Sequence, residues 1–208
     1  MIQIDEVDSD DHSSDRLQLM FRWIDENCVS KDERRLKSEM LNYVLILNDQ
    51  FFVDIRALTN YIDQINRNTE LTTFERRTFL TGKLIEKSRP ERFRNNRYSI
   101  SIDEYPYDKY PPYISTDCFL LSKYNAHLLN ILTDYVRLFP FEHIYLSFLS
   151  SSILTKFIQN NYLFDADQFT FDNRSNKQQT PICYYGYEND KLIQLWNRIY
   201  HLNITQHF

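Results

Sequence analysis

Tyr43-Val44-Leu45-Ile46-Leu47 is an unbroken apolar run, and Asn48-Asp49-Gln50 ends it. A run of that length between polar segments predicts a strand buried on both faces, the kind found in parallel or mixed α/β sheets. Phe51-Phe52-Val53 follows, and Asp54 is placed to cap a helix turning Ile55, Leu58, Ile62 and Ile65 inward. The Asp49 carboxylate therefore falls at the carboxyl end of a strand, the edge at which open α/β sheets bind ligands.

Upstream, Asp8, Asp10, Asp11 and His12 read as a solvated run ahead of a helix. Ser13 or Ser14 caps that helix, and Leu17, Met20, Phe21, Ile24 and Cys28 form its apolar stripe. Lys31 to Glu39 is charged and helix-prone. Downstream, Phe79 to Ile85 reads as a strand bent or bulged at Gly82, and Arg97 to Ile102 alternates like an edge strand. Tyr105 to Tyr113 packs four tyrosines and three prolines into nine residues, a stiff aromatic segment that orders at little entropic cost. Cys118 to Leu121 is a short buried strand, and Ser122 caps a helix with Leu128, Leu132 and Val136 on one face. Pro140 starts another helix, which places Glu142 and His143 among the unpaired N–H groups of its first turn. Tyr162 to Thr180 is irregular, and Lys191 to Tyr200 closes the chain at helical spacing, with Trp196 on its stripe and Trp23 on that of the first helix.

Neither a linker nor an internal repeat divides the 208 residues, so the expectation is one α/β domain over residues 1–208. With 42% hydrophobic residues, 15 Phe and 15 Tyr, the chain is too apolar to be disordered. Gly82 and Gly186 are the only glycines, which excludes both the P-loop and the dinucleotide-binding glycine turn. Any bound phosphate must be held by helix N-termini, cationic side chains or a metal on carboxylates. A net charge of −5 without a basic block argues against nucleic acid. No run approaches a membrane span, so the chain reads as soluble as written. Cys28, Cys118 and Cys183 form no CxxC pair and leave one disulfide open, with its partners undetermined by spacing. Asn173-Arg174-Ser175 and Asn203-Ile204-Thr205 fit the N-glycosylation pattern.

In chain order these pieces resemble the β-1,3-galactosyltransferase and β-1,3-N-acetylglucosaminyltransferase family, in divergent form. Ile2 to Ser9 with Trp23 and Cys28 is similar to an opening family block. Leu45 to Asp54 is similar to "KTDDDVFVN", and Glu104 to Ser122 to "EYP…YPPYCSGGGYVLS". Leu138 to Tyr145 is similar to "LFPxEDVYVG", and Leu192 to Tyr200 to a terminal "LxxLWxxL" helix. Of three family aspartates only the middle one persists, as Asp49. Thr116, Asp117 and Cys118 replace the glycines of the "SGGG" turn, and His143 replaces the aspartate after Glu142.

The resemblance implies a GT-A-like fold, a mixed sheet flanked by helices, with the domain's first strands and the membrane anchor not present in this chain. It implies an inverting, metal-assisted hexosyltransferase of the Golgi lumen that moves galactose or N-acetylglucosamine from a UDP-sugar to a glycan. The alternative is a non-catalytic relative with a glycan- or partner-binding surface. On the first reading Asp49 holds a divalent metal, Mn²⁺ foremost, and Asn48, Gln50, Arg16, Arg94 and Arg97 face the donor. His143 or Glu142 then takes the acceptor proton, and Tyr105, Tyr110 and Tyr113 offer rings to the acceptor sugar.

Overall fold

Strands whose residues alternate between two apolar layers, with helices covering both, give this chain its architecture. Residues 13–29, 42–164, 180–185, 193–194 and 196–197 are described by a computed structural model. The acidic run, Lys31 to Glu39, most of the tail and closing helix, Asn173 and Asn203 lie outside the described residues. The elements are α1 (Ser13–Cys28), β1 (Tyr43–Leu47), β2 (Phe52–Val53), α2 (Ile55–Arg67), α3 (Thr73–Arg77) and β3 (Leu80–Ile85). They continue with β4 (Tyr113–Ser122), α4 (Lys123–Thr133), α5 (Glu142–Ser152), β5 (Phe157–Gln159), α6 (Asn161–Phe164) and β6 (Cys183–Tyr184).

The main sheet runs β1-β4-β3-β5, antiparallel except for the β3–β5 pair, and β2 pairs with β6 in a separate two-stranded ladder. It is a mixed sheet flanked by helices. Leu80, Phe119 and Leu121 point to the layer of α1, α4 and α5, where Phe21, Leu129, Ile144 and Tyr145 complete the larger core. Phe79, Cys118 and Leu120 point to α2 and α6, meeting Ile65, Leu163 and Phe164. A disulfide joins Cys118 of β4 to Cys183 of β6, with Cα atoms 6.6 Å apart, and Cys28 is free.

Local signals hold where local chemistry governs. Asp54 caps α2, accepting from the Arg56 and Ala57 amides at 3.0 and 3.1 Å. Ser122 caps α4 through the Asn125 amide at 3.1 Å. Other expectations are corrected. Among the described residues β1 pairs only with β4, and it is half-buried rather than covered on both faces. Ile55, in the first turn of α2, is exposed, while Ala57 and Ile65 are buried. α4 ends at Thr133, before Val136, and its buried residues are Asn125, Ala126 and Leu129. Arg97 to Ile102 is no strand: the Tyr98 and Ser99 amides both donate to Asn96 in a turn, and Ser99 makes a single bridge to Glu91. The Arg92 guanidinium organises this region instead, donating to the carbonyls of Ile100, Ser101, Tyr105 and Tyr107 at 2.8–3.0 Å.

The strand expected over Cys118 to Leu121 is longer, Tyr113–Ser122, and takes in the supposed turn. Between the pairs Gly82–Phe119 and Leu84–Ile114, β3 advances two residues while β4 advances five. Ser115 to Cys118 is therefore pushed out of the ladder as a bulge. Gly82 sits beneath it. A Cβ there would meet Ile114 Cγ2 at 2.7 Å and Phe119 Cβ at 3.1 Å, so a side chain has no room.

Candidate functional site

The bulge of β4 faces the carboxyl end of β1. Cross-strand pairing closes at Leu47–Cys118, and the Asn48 amide then donates to the Asp117 carbonyl at 2.7 Å. The Asn48 side chain turns back to accept from the Gln50 amide at 3.1 Å, an Asx turn that fixes the tip. From the other side comes the N-terminus of α5. Pro140 lies two residues before the helix, which begins at Glu142 with Phe141 at the cap position. α1 locks that approach, since Ser13 and Ser14 donate to the Pro140 and Phe139 carbonyls at 3.2 and 2.5 Å.

These elements enclose a cavity of about 750 Å³. Arg16, Asn48, Gln50, Arg97, Tyr113, Glu142 and His143 all line it, so one place gathers most of the expected site residues. Asp49 occupies the exposed tip between Asn48 and Gln50 and is not itself part of the wall. Arg94 is exposed on the preceding loop, away from the wall. Tyr105 and Tyr110 are buried and line a second hollow, which adjoins the first across Pro140.

Ser115, Thr116 and Asp117 also line the cavity, and sequence reasoning did not single them out as site residues. Regular alternation would have turned Thr116 away from its two neighbours. The bulge re-aims them together. Their positions follow from the β1–β4 register, a non-local fact.

Within the cavity, Thr116 Oγ1 donates to Glu142 Oε1 at 2.6 Å, tying β4 to α5. Asp117 Oδ2 accepts from Ser115 Oγ at 2.6 Å. His143 packs against Tyr113, with ring centroids 4.8 Å apart and planes tilted by 33°, and lies nearly parallel to Phe141 at 6.3 Å. Burial holds the His143 pKa below its ordinary 6.5, with the nearby Asp117 carboxylate acting in the opposite direction. The imidazole is consequently neutral at pH 7 and ready to accept a proton. Arg97 lies over the Tyr98 ring at 4.5 Å and also hydrogen-bonds its hydroxyl.

The donor set at the tip is all oxygen: the Asp49 carboxylate with the Asn48 and Gln50 amides. That chemistry fits a hard divalent cation that brings phosphate and water as its other ligands. It does not fit a cation caged by protein alone, because among the described residues no three His, Cys, Asp or Glu side chains converge.

Residues 35–160, more than half of the chain, match the family described as Galactosyltransferase. The chain belongs to the galactosyltransferase family. The matched stretch contains every cavity-lining residue except Ser13 and Arg16. Among curated relatives, the β-1,3-galactosyltransferase bre-5 of Caenorhabditis elegans is 26% identical over 125 residues, covering 59% of this chain and 36% of that protein. The β-1,3-galactosyltransferase brn of Drosophila melanogaster is 22% identical over 108 residues, 52% of this chain and 31% of that protein. N-acetyllactosaminide β-1,3-N-acetylglucosaminyltransferase 2 of Homo sapiens is 26% identical over 127 residues, 61% and 28% respectively. The aligned part of this galactosyltransferase-family chain thus spans about a third of the length of those relatives. Among the described residues, no helix is long and apolar enough to cross a membrane.

Proposed function

We propose that this chain transfers galactose or N-acetylglucosamine from a UDP-sugar to a glycan hydroxyl, forming a β-1,3 linkage with inversion. The observation that carries the reading is the cavity itself. It sets a neutral, half-buried imidazole opposite an oxygen-rich strand end, with two arginines in the same wall.

In this reading His143 takes the proton from the acceptor hydroxyl. The acceptor oxygen attacks the anomeric carbon from the face opposite the leaving group, and the bond to the diphosphate oxygen breaks, releasing UDP. Glu142, engaged by Thr116, holds the start of α5 against the bulge and so orients His143. Asp117 stabilises the imidazolium as it forms, since it already favours the protonated ring. Arg16 and Arg97 supply cationic donors for the diphosphate. A divalent cation such as Mn²⁺, held by Asp49 with the Asn48 and Gln50 oxygens, would neutralise the leaving diphosphate. Acceptor contact is proposed at Tyr113, with the hollow of Tyr105 and Tyr110 adjoining it. Placement in the Golgi lumen belongs to the same proposal. Kinship supports it, as does the disulfide, which forms in oxidising compartments.

Calorimetric titration of UDP with and without Mn²⁺ tests the reading, and metal-dependent binding is expected. UDP binding that ignores the metal, or no binding, overturns it. Asp49→Asn should weaken the metal-dependent affinity at least ~10-fold, and unchanged affinity would remove Asp49 from the cation's ligands.

A further inference from the structure

The tip that carries Asn48, Asp49 and Gln50 is closed into a ring. Leu47, the last residue of β1, pairs with Cys118, and Val53 of β2 pairs with Cys183. The disulfide joins those two partners to each other. The segment between Leu47 and Val53 is thus held at both ends by ladders that a single covalent bond connects. Inside the ring, the Phe51 amide donates to the Asn48 carbonyl at 3.1 Å, and beyond it the Asp54 amide donates to the Ile182 carbonyl at 2.9 Å. Both cysteines are buried, at 1% and 0% exposure. A two-residue ladder such as β2–β6 is too short to persist alone; Ile182 packs in the α2–α6 layer and its amide donates to the Leu163 carbonyl at 2.8 Å, and the disulfide adds a covalent tie to β4. Cys118 also immediately follows Thr116 and Asp117, whose carbonyl accepts from the Asn48 amide, so the same sulfur anchors the adjoining wall of the cavity.

We propose that the Cys118–Cys183 disulfide is a positioning device for the transfer site: it holds the Asn48–Gln50 rim against Thr116 and Asp117 and thereby sets affinity for the nucleotide half of the donor. This rests on the transferase reading above. The main sheet and its α1, α4 and α5 layer pack without β6, so loss of the bond loosens the rim before the larger core. Reduction by a dithiol breaks the S–S bond and leaves two thiols. The two electrons and two protons come from the reductant, which closes to a cyclic disulfide.

The test compares wild type with a Cys118→Ala/Cys183→Ala double variant, using UDP with Mn²⁺ as the probe and amide hydrogen exchange as an independent readout. Expected are a ~10-fold weaker UDP affinity, which is ~1.4 kcal/mol, and an acceptor KM changed less than ~2-fold. Exchange should accelerate at least ~10-fold at Asn48, Gln50 and Phe51 but not at Leu120 or Leu121. Equal UDP affinity in the two proteins overturns the proposal, and so does exchange that rises uniformly through β4. If wild type binds no UDP, the transferase reading fails instead, and the exchange pattern still decides whether the bond positions the rim. Should the double variant not fold, dithiol-treated wild type replaces it, with reoxidation expected to restore the UDP affinity and a failure to restore it counting against the proposal.

Discussion

Pro140 has a hollow on each side, of about 750 and 790 Å³, nearly equal in size and opposite in character. One is walled by Arg16, Arg97, Asp117, Glu142 and His143. The other is walled by Tyr105, Tyr110, Leu138, Phe139 and Phe148. In the apolar hollow, Tyr105 meets Tyr107, Tyr110, Phe139 and Phe148 at ring-centroid distances of 5.0–6.4 Å, and Phe139 meets Tyr110, Phe141 and Phe148 as well. Volume alone therefore does not separate chemistry from packing. What separates them is the surface they offer: rings and aliphatic side chains dominate the second, although Glu104, Lys109 and Arg137 also line it, whereas polar groups dominate the first. The tyrosine-rich segment commits most of its rings to holding α5 in place, which in turn presents His143 on the far side of the proline.

The contrast breaks if the apolar side proves dispensable. Phe139→Ala should lower stability by ~3–5 kcal/mol in urea unfolding, because it removes the ring on which the cluster converges. Tyr107→Ala, at a side chain 66% exposed, should stay within ~0.5 kcal/mol. A Phe139→Ala cost below ~1 kcal/mol would mean that the hollow adapts rather than supports.

On the polar side, His143→Asn should reduce kcat at least ~10²-fold while the protein remains folded. Transfer at the wild-type rate would leave the cavity without its base. Gly82→Ala tests the link between the sides, since the added methyl must displace Ile114 or Phe119 under the bulge. A loss of ~1–3 kcal/mol is expected, together with weaker UDP binding. Retained affinity would show that the bulge does not shape the cavity.

The smallest effect is in pH. The folded chain protonates His143 only below the ordinary 6.5, so near pH 6 the unfolded chain binds more protons than the folded one. The contribution of His143 to stability is full above 6.5 and is lost as pH falls through the depressed folded value. Urea unfolding from pH 5 to 8 should show wild type weakening on acidification more than His143→Asn, and parallel curves would place the imidazole in water.

The same division explains what was readable from residues alone. The caps at Asp54 and Ser122 and the stripe of Leu17, Phe21 and Ile24 depend on neighbours within a turn or two, and each appears where expected. Arg97 to Ile102 alternates correctly, yet its backbone is spent on contacts outside the stretch, the Tyr98 and Ser99 amides on Asn96 and the Ile100 and Ser101 carbonyls on Arg92. Asp117 went unremarked as a site residue for a related reason. Its neighbour Asn48 is a partner across strands, and the bulge that turns it inward is a mismatch between two strand lengths. Asp49 had the opposite fate, since the residue that looked most like chemistry stands at the tip while its amide neighbours line the wall.

The surplus residues of β4 carry one more implication. Trimming Ser115 to Asp117 would let the two strands zip flush while keeping Cys118 and its disulfide, erasing the hollow in the same stroke. Thermal robustness and chemistry thus pull against each other at this one spot. On the proposed transfer reading, a lineage freed from that reaction would be expected to shorten here first, so a contracted β4 in a descendant would read as a fossil of abandoned activity.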